Sequence, residues 1–359
     1  MKVLIASANG YGNAGDDMCA LMAQHYVREA HPRARVKVTA PPFDDDAAAW
    51  ADAFVLGGGG IVYDANPDNM ENYLEYMDYG QERGKITVGI GLGEQGIVTK
   101  KGAKRYADSF NKAELITVRS TLDSKRLKDC GVKEPQATQD LAFGFDYAPY
   151  AKRYAKKQAR RAKARLKQKP KLGVVLSNQE HLVNDLKLAF SKEEKKNALQ
   201  FKNSFEKALP KLMETYDVTV ITQSRDDLDM AASMVRHYGV KVHSYRDHKD
   251  MHKLLKVYAD QDIVLTQRFH GAIFSLMMGI PVVILGYHSQ KQYKLLKDMK
   301  LEKRLLMYHE PKKLDKLMAD MTKSSPHLED YAIKLTDEER SFIDTTAAQN
   351  KKLLTQALK

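Results

Sequence analysis

The chain has 359 residues, of which 43% are hydrophobic, and this length and apolar content suit two domains that each bury a core. They exclude a largely disordered chain, and no stretch approaches the roughly 18 uninterrupted apolar residues of a membrane-spanning helix. Only two cysteines occur, which excludes a disulfide framework and a cysteine-rich metal site. The chain starts with an apolar run that predicts a core strand. We therefore expect a soluble, cytoplasmic protein.

The positive charge is concentrated in one segment. Lysine and arginine total 58 against 46 acidic residues, a formal net charge of +12. Eleven of the basic residues, and no acidic one, fall between positions 152 and 171, so the rest of the chain is close to neutral. Alanines and good helix formers separate these charges, which is typical of a solvated helix or linker. The alternative is attraction to an anionic membrane or polyanion, whereas the scarcity of aromatic residues there argues against nucleic acid.

Short apolar runs alternate with stretches of helical spacing along both halves of the chain. Most runs are continuous, which predicts strands buried on both faces, as in parallel sheets covered by helices. The predicted strands are Val3–Ala8, Val36–Ala40, Phe54–Leu56, Ile86–Gly91, Leu115–Val118, Leu172–Leu176, Val218–Thr222, Val240–His243, Ile263–Thr266 and Val282–Leu285. The predicted helices are Asp17–Glu29, Lys101–Asn111, Lys196–Tyr216, Asp226–Tyr238 and His248–Asp260.

The alternation of strands and helices predicts an α/β protein with two doubly wound, Rossmann-like domains that face a central cleft. A long C-terminal helix is predicted over Thr336–Leu358, because Thr336 and Glu339 fit a capping box. The predicted divisions are 1–150 for the N-terminal domain, 151–171 for a basic linker or helix, 172–325 for the C-terminal domain and 326–359 for a helical tail.

Three glycine-rich segments follow predicted strands of the first half, namely Gly10–Gly15, Gly57–Gly60 and Gly91–Gly96. Glycines at the strand ends of an open α/β sheet let the backbone approach a ligand. These segments are weak evidence for a dinucleotide-binding site. Such a site has an acidic residue at the end of the second strand to bind the ribose, whereas the second predicted strand here ends in Thr39-Ala40-Pro41-Pro42. We interpret them as the lining of a cleft or as tight turns at strand ends.

A more specific site is predicted in the second half, around Arg268 and His270. Both follow the strand Ile263–Thr266 and precede an apolar helix, so they lie at the carboxyl edge of the sheet, beside the positive end of a helix dipole. A purely structural role is less favoured, because burying Arg268 without an anionic partner is costly. Between Asp262 and Asp298 the chain has no carboxylate, but it does have Arg268, His270, His288, Lys291 and Lys294. This composition suits a small ligand with phosphate or carboxylate groups and, by itself, does not suit Mg²⁺.

These motifs resemble the polysaccharide pyruvyl transferase family over about residues 3–300. The segment Arg268-Phe269-His270, followed by Gly279-Ile280-Pro281, Tyr287 and Lys291, is similar to the family signature. Asn13-Ala14-Gly15-Asp16 resembles its opening N-x-G-D loop, and Phe54–Gly60 resembles its glycine-rich strand end. The residues at the spacing of its central pattern are Arg119, Ser124, Leu127, Gly131 and Asp140.

The resemblance implies a glycosyltransferase-B-like fold and a ketal-forming transferase that uses phosphoenolpyruvate and needs no metal or other cofactor. A sugar of a cell-surface polysaccharide, or of its lipid-linked precursor, would be the acceptor, and phosphate would be released. His270 and Arg268 would be catalytic, with His270 as a general acid. The donor would bind Arg119, Arg268 and Lys291, and the acceptor would bind Asn13, Asp16, Gly59, Gly60 and Glu94.

Two other classes of protein remain open. One is a nucleotide-sugar-dependent glycosyltransferase of the same fold, although Phe274 and apolar neighbours stand where such enzymes typically place a glutamate against the ribose. The other is a non-catalytic glycan- or polyanion-binding protein, which would use the segment 152–171 rather than Arg268 and His270. In the transferase, the same basic segment would serve as a peripheral contact with the anionic inner face of a membrane.

Overall fold

The computed structural model describes residues 1–164, 168–178, 192–286, 291–307, 310–321, 323 and 328–359. The chain divides into two compact units. Unit 1 comprises Met1–Tyr11, Gly15–Phe145 and Glu338–Lys359, and unit 2 comprises Gly12–Ala14 and Asp146–Asp337. Part of the predicted basic segment, residues 165–167, and the predicted site residues Tyr287 and His288 lie outside the described residues.

Unit 1 contains a parallel sheet of strands β1 (Lys2–Ala6), β2 (Arg35–Thr39), β3 (Ala53–Tyr63), β4 (Ile86–Gly96), β5 (Leu115–Val118) and β6 (Gln136–Ala137). Their spatial order is β2-β1-β3-β4-β5-β6, so the winding of the chain reverses between β1 and β3. The connecting helices are α1 (Ala14–Ala30), α2 (Asp45–Trp50), α3 (Pro67–Glu82), α4 (Lys100–Phe110) and α5 (Thr121–Asp129).

Polar side chains fix where four of these helices begin. Asp44, Asn66, Thr99 and Ser120 precede α2, α3, α4 and α5, and each accepts a hydrogen bond from a backbone N–H in the first turn of its helix. Such caps satisfy donors that a helix leaves without intrahelical partners. Between the caps, apolar side chains of the helices pack on the sheet, as Tyr76 and Met77 of α3 do beside Phe54 of β3.

The glycine-rich segments Gly57–Gly60 and Gly91–Gly96 lie inside β3 and β4, not in turns after them. Gly58 and Gly59 have φ angles of 74° and 84°, and the pairing of β3 with β4 shifts register between Gly59 and Val62. Irregular pairing of this kind, as in a β-bulge, is accommodated by glycine because it has no Cβ. The interpretation as tight turns at strand ends is therefore wrong for these two segments.

Unit 2 contains a second parallel sheet, whose described strands are β7 (Lys171–Val175), β8 (Asp217–Thr222), β9 (Lys241–Ser244), β10 (Ile263–Thr266), β11 (Val282–Gly286) and β12 (Leu306–Met307). The order is β12-β11-β10-β7-β8-β9, with the reversal of winding between β7 and β10. The described helices are α6 (Ala148–Ala164), α7 (Lys192–Thr215), α8 (Leu228–Tyr238), α9 (Met251–Ala259), α10 (Phe269–Met277), α11 (Lys291–Asp298) and α12 (Pro311–Met321). The predicted pair of doubly wound α/β folds is thus confirmed.

The predicted C-terminal helix is also confirmed, as α13 (Asp337–Ala357), and nearly all of it belongs to unit 1. Its Asn350 is completely buried against the ends of β5 and β6. Asn350 Oδ1 accepts hydrogen bonds from the hydroxyls of Thr117 and Thr138, at 2.7 and 2.8 Å, and Nδ2 donates to the carbonyl of Gln139 at 2.7 Å. A polar side chain on α13 therefore joins the helix to the sheet.

Candidate functional site

In unit 2 the candidate site lies at the carboxyl ends of β7 and β10, where the winding reverses. Ligands of doubly wound sheets bind in the crevice that such a reversal opens. Gln267, which follows β10, joins the elements around it: its Oε1 accepts a hydrogen bond from Ser177 N–H, after β7, at 2.9 Å. Its carbonyl accepts a hydrogen bond from Nε2 of Gln292 at 2.7 Å, which brings the start of α11, with Lys291, beside the loop that carries Arg268.

Arg268 is held at this crevice by Asp227, which is not among the predicted site residues. The Nε of Arg268 donates to Asp227 Oδ2 at 3.1 Å, and its Nη2 donates to Oδ1. Asp227 is completely buried and also accepts a hydrogen bond from Asn178 N–H at 3.0 Å. The Arg268 side chain remains 17% exposed. Arg268 thus has the anionic partner that its burial requires and still reaches the solvent.

A sequence signal for Asp227 does exist. The acidic pair Asp226-Asp227 comes shortly after the predicted strand Val218–Thr222, and therefore at the same edge of the sheet as Arg268. Because the order of the parallel strands places β8 next to β7, the turn after β8 lies close enough for its carboxylate to meet the arginine. Acidic residues after other strands of this sheet offer the same signal, so the sequence alone does not single out Asp227.

His270 is the second residue of α10 and is buried. The ring of Phe269 lies edge-on to its imidazole, 5.1 Å away between centroids, and the ring of Phe274 lies 6.2 Å away. Thr266 fixes the loop before the helix: its hydroxyl donates to the carbonyl of Arg268 and accepts from Arg268 N–H, both at 3.0 Å. Arg268 and His270 are therefore presented from the same rigid strand-to-helix connection.

In unit 1 the predicted residues Asp16 and Gly59 meet near the reversal of winding between β1 and β3. Asp16 Oδ1 lies 3.2 Å from the position that a Cβ on Gly59 would occupy. The lack of a side chain at Gly59 lets the carboxylate from α1 approach the backbone of β3. The next residue, Gly60, accepts a hydrogen bond on its carbonyl from the amide of Gln95.

The remaining predicted acceptor residues, Glu94 and Asn13, lie in different units. Glu94 is buried near the end of β4, and its Oε1 accepts hydrogen bonds from the N–H groups of Gly96 and Ile97, at 2.8 and 2.9 Å. Asn13 belongs to the short segment that groups with unit 2, where it forms an antiparallel bridge with Ser224. Unit 1 therefore contains Asp16, Gly59, Gly60 and Glu94, whereas unit 2 contains Asn13.

Arg119, which the family resemblance assigns to the donor, lies in a buried polar cluster of unit 1. Its Nη1 donates to Asp140 Oδ2 at 3.3 Å, and its Nε lies 3.9 Å from Asp123 Oδ2. The guanidinium fills the space beside Gly93 that a Cβ would need. Asp140 also accepts a hydrogen bond from the Cys19 thiol at 3.4 Å. Burial, reinforced by the charge of Asp140, raises the pKa of this thiol well above its usual 9.0.

The basic helix α6 is bound to unit 2 through some of its charges. Arg153 donates from Nε and Nη2 to the two carboxylate oxygens of Asp260, each at 2.9 Å. Lys157 and Arg161 form ion pairs with Asp262 at 2.8 and 3.1 Å. Burial favours the neutral form of Asp262, but hydrogen bonding, chiefly from Lys157, outweighs it and lowers the pKa of the carboxyl below its usual 3.8. These basic residues have a structural role.

Another face of α6 presents basic side chains to solvent. Lys152, Lys156, Arg160 and Lys163 are exposed, and their spacings of four, four and three residues place them in one row along the helix. We call these four residues the basic stripe. Among the helices of the described residues, none has the length and the apolar character needed to cross a membrane.

Comparisons with known proteins identify a family and a fold. A family described as "Polysaccharide pyruvyl transferase" matches residues 13–289. No curated protein sequence matches the chain significantly. UDP-GlcNAc 2-epimerase from Neisseria meningitidis, bound to UDP-GlcNAc, is similar with a TM-score of 0.55 at 10% identity, over 100% of this chain and 99% of that one. The Methanocaldococcus jannaschii UDP-GlcNAc 2-epimerase, in complex with UDP-GlcNAc and UDP, has a TM-score of 0.51 at 8% identity, over 97% and 98%. At these identities the likeness shows the fold alone, which is glycosyltransferase-B-like as predicted.

Proposed function

Because the chain belongs to the polysaccharide pyruvyl transferase family, we propose that it transfers the pyruvyl group of phosphoenolpyruvate to a sugar of a cell-surface polysaccharide or its precursor. In this reaction two sugar oxygens form bonds to the central carbon of the donor, and the bond from that carbon to the phosphate oxygen breaks. The two sugar hydroxyls together release two protons. One is matched by the proton that converts the donor's methylene to a methyl group, and the other is matched by the proton that the departing phosphate takes up.

The observation that supports this proposal most is the position of Arg268 and His270 in the crevice of unit 2. Phosphoenolpyruvate carries a phosphate and a carboxylate, and a guanidinium binds either group through paired hydrogen bonds. The N-terminus of α10 and the start of α11, with Lys291, add positive charge at the same edge of the sheet. The family resemblance also assigns Arg119, which belongs to unit 1, to the donor.

His270 acts in this proposal as the general acid. An imidazole can both hold and release a proton, as a general acid must during turnover. The proton goes either to the methylene carbon or to the departing phosphate. Protonation of the carbon leaves an oxocarbenium-like centre that a sugar hydroxyl attacks.

We assign the acceptor sugar to Asp16, Gly59, Gly60 and Glu94 of unit 1, together with Asn13. Carboxylate oxygens accept hydrogen bonds from sugar hydroxyls, and glycines at the reversal of winding allow a ring to approach the backbone. Glu94 is the proposed base toward a hydroxyl. Its present hydrogen bonds from the N–H groups of Gly96 and Ile97 would have to weaken for it to act in this way.

A ligand panel tests the donor. The melting temperature of the protein is measured with phosphoenolpyruvate, UDP-GlcNAc or NAD, because a ligand that binds only the folded state raises it. We expect a rise with phosphoenolpyruvate and none with the other two. Stabilisation by UDP-GlcNAc alone would favour a nucleotide-sugar glycosyltransferase. If none of the three ligands raises the melting temperature, a non-catalytic binding protein is favoured.

Turnover tests the role of His270. With a sugar acceptor that supports phosphate release, His270→Ala should reduce the rate by about 10²- to 10⁴-fold, the usual contribution of a general acid. His237→Ala is the matched control, because His237 is an exposed histidine on α8 of the same unit. Near-normal turnover of His270→Ala would remove His270 from the mechanism.

We also propose that the basic stripe draws the protein to anionic membranes, at about 1 kcal/mol for each charge close to the surface. The stripe is exposed, whereas its neighbours Lys157 and Arg161 are engaged with Asp262. Lys157 and Arg161 are therefore not part of the proposed membrane contact.

Vesicle binding tests the stripe. The four residues of the basic stripe are changed together to Gln, and the control changes four exposed lysines elsewhere, Lys112, Lys128, Lys207 and Lys334. Binding to vesicles of phosphatidylglycerol and phosphatidylcholine at low salt should be lost only in the stripe variant. Phosphatidylcholine alone should bind neither protein. If the unmodified protein does not bind the anionic vesicles, the stripe is only a solvated helix face.

A further inference from the structure

Asp227 joins a short 3-10 turn to helix α8. The turn, Arg225–Asp227, is capped by the side chain of Ser224, and Asp227 itself has helical backbone angles, so its carboxylate is not needed as a helix cap. The carboxylate is directed to Arg268 and to Asn178 N–H instead. The side chain of Asp227 is therefore committed to the contact with Arg268.

The contact fixes the guanidinium in one orientation. Asp227 engages the edge formed by Nε and Nη2, with one carboxylate oxygen on each nitrogen. The hydrogen bond from Asn178 N–H in turn fixes the carboxylate. Within the part of the chain that the structure describes, Nη1 of Arg268 has no hydrogen-bond partner. The arginine thus presents donors to the crevice while its other edge is held.

The Arg268–Asp227 pair has a completely buried tyrosine near it. Tyr258 is completely buried, and its hydroxyl is electrostatically coupled to Asp227 and Arg268. That hydroxyl lies 3.1 Å from the position that a Cβ on Gly271 would occupy, which shows how tightly α10 packs there. In such a low-dielectric surrounding the attraction between a carboxylate and a guanidinium is strong, and the pair is costly to separate.

From this geometry we infer that Asp227 is a positioning residue, which orients Arg268 so that its remaining donors meet an anionic group of the substrate. The inference rests on the proposed function for the identity of that substrate. The negative charge of Asp227 offsets the positive charge of Arg268, so an anion is bound there through the direction of the hydrogen bonds rather than through excess charge. This explains why a carboxylate is retained next to an anion-binding arginine.

A pair of adjacent aspartates gives a matched test. Asp227→Asn keeps the size of the side chain and an acceptor for Asn178 N–H but removes the charge, whereas Asp226→Asn makes the same change at an exposed position. Displacement of a substrate-binding group by about 1 Å lowers the reaction rate by up to about 10²-fold. We expect kcat/KM for phosphoenolpyruvate to fall about 10- to 100-fold in Asp227→Asn and less than about twofold in Asp226→Asn. Equal kcat/KM values in the two variants would overturn the inference.

A double substitution separates positioning from a general loss of stability. If Asp227 acts through Arg268, then adding Asp227→Asn to Arg268→Lys should change kcat/KM by less than about threefold, because the oriented guanidinium is already lost. If the two losses multiply in full, Asp227 acts independently of Arg268 and the inference fails. Should Asp227→Asn not fold, Asp227→Glu preserves the charge and displaces it by one methylene. Unchanged kcat/KM in that variant would also contradict positioning.

Inorganic phosphate distinguishes this inference from the proposed function. If the unmodified protein has no turnover with phosphoenolpyruvate, the proposed function fails, but the increase in melting temperature caused by phosphate remains measurable. We expect Asp227→Asn to diminish this increase and Asp226→Asn to retain it. The same increase in both variants would overturn the role of Asp227 whatever the donor is.

Discussion

Both units bury an arginine against aspartate, but the two arginines differ in what else they contact. Arg119 of unit 1 is only 3% exposed and has two carboxylates within 4 Å, those of Asp140 and Asp123. Arg268 of unit 2 is 17% exposed and, among the described residues, is paired with the carboxylate of Asp227. The surroundings of the two side chains therefore differ: Arg119 is compensated by two carboxylates of its own unit, so a contact with the donor would come in addition to a structural role, whereas Arg268 has one such carboxylate among the described residues and is more exposed.

The largest expected effect concerns the stability of unit 1. Arg119→Met should lower its free energy of unfolding by about 3–5 kcal/mol, because removal of one partner leaves buried carboxylates without their counter-charge. The measurement is urea unfolding followed by circular dichroism, with Arg33→Met, an exposed arginine, as the control. An unchanged unfolding midpoint in Arg119→Met would show that the buried cluster contributes nothing net, and the comparison with Arg268 would lose its basis.

The second prediction concerns catalysis in unit 2. Arg268→Lys should reduce kcat/KM for phosphoenolpyruvate by about 10²-fold, equivalent to about 2.7 kcal/mol, because lysine keeps the charge but loses the fork of donors. Its effect on the melting temperature should be smaller than that of Arg119→Met. Arg236→Lys, an exposed substitution on α8, is the control. A donor affinity that stays the same would show that Arg268 is not a donor ligand.

A third prediction uses the glycine beside Arg119. Gly93→Ala places a methyl group where the guanidinium lies, and overpacking of this kind costs about 1–3 kcal/mol of stability. The clash should disappear when the arginine is shortened, so Gly93→Ala should cost less in the Arg119→Met background than in the unmodified protein. Equal costs in the two backgrounds would mean that the strain comes from another neighbour.

The smallest effect is a pH dependence in unit 1. The Cys19 thiol keeps its proton in the folded state above pH 9.0, where the unfolded thiol loses it, because burial raises its pKa. The folded state then binds more protons, so the stability of unit 1 falls as the pH rises, by up to about 1.4 kcal/mol per pH unit from this group. Cys19→Ala should remove that slope in urea unfolding between about pH 9 and pH 10. An identical slope would place its origin elsewhere.

The sequence predicts ten of the twelve described strands, because continuous apolar runs mark strands that are covered on both faces; the two-residue strands β6 and β12 are missed. The extents of β3 and β4 are also predicted too short. Their second halves contain Gly57–Gly60 and Gly91–Gly96. Glycine in a sequence usually indicates a turn, and it does not indicate whether the segment stays paired with a neighbouring strand. Whether such a run bulges within a strand or leaves the sheet depends on which side chains pack against it, here Leu141 against Gly58 and Gly91.

The candidate site is predictable only in part, for a related reason. Arg268 and His270 are selected because they are close in sequence and follow one strand. Asp227 comes from the turn after another strand, 41 residues away, and its contact depends on the order in which the strands are arranged. Likewise, the helical character of the basic segment follows from its composition, but its ion pairs with Asp260 and Asp262 follow from the packing of α6.

The contribution of α13 to unit 1 has a consequence for biosynthesis. Asn350 is the hydrogen-bond partner of Thr117, Thr138 and the Gln139 carbonyl, and apolar residues of the same helix, such as Ile343 and Leu354, are completely buried. Because chains emerge from the ribosome N-terminus first, residues 15–145 must wait for residues 338–359 before this part of their core is covered. Residues 146–337, which make up unit 2 apart from Gly12–Ala14, are translated in that interval. The unit whose synthesis begins first is the last to be completed.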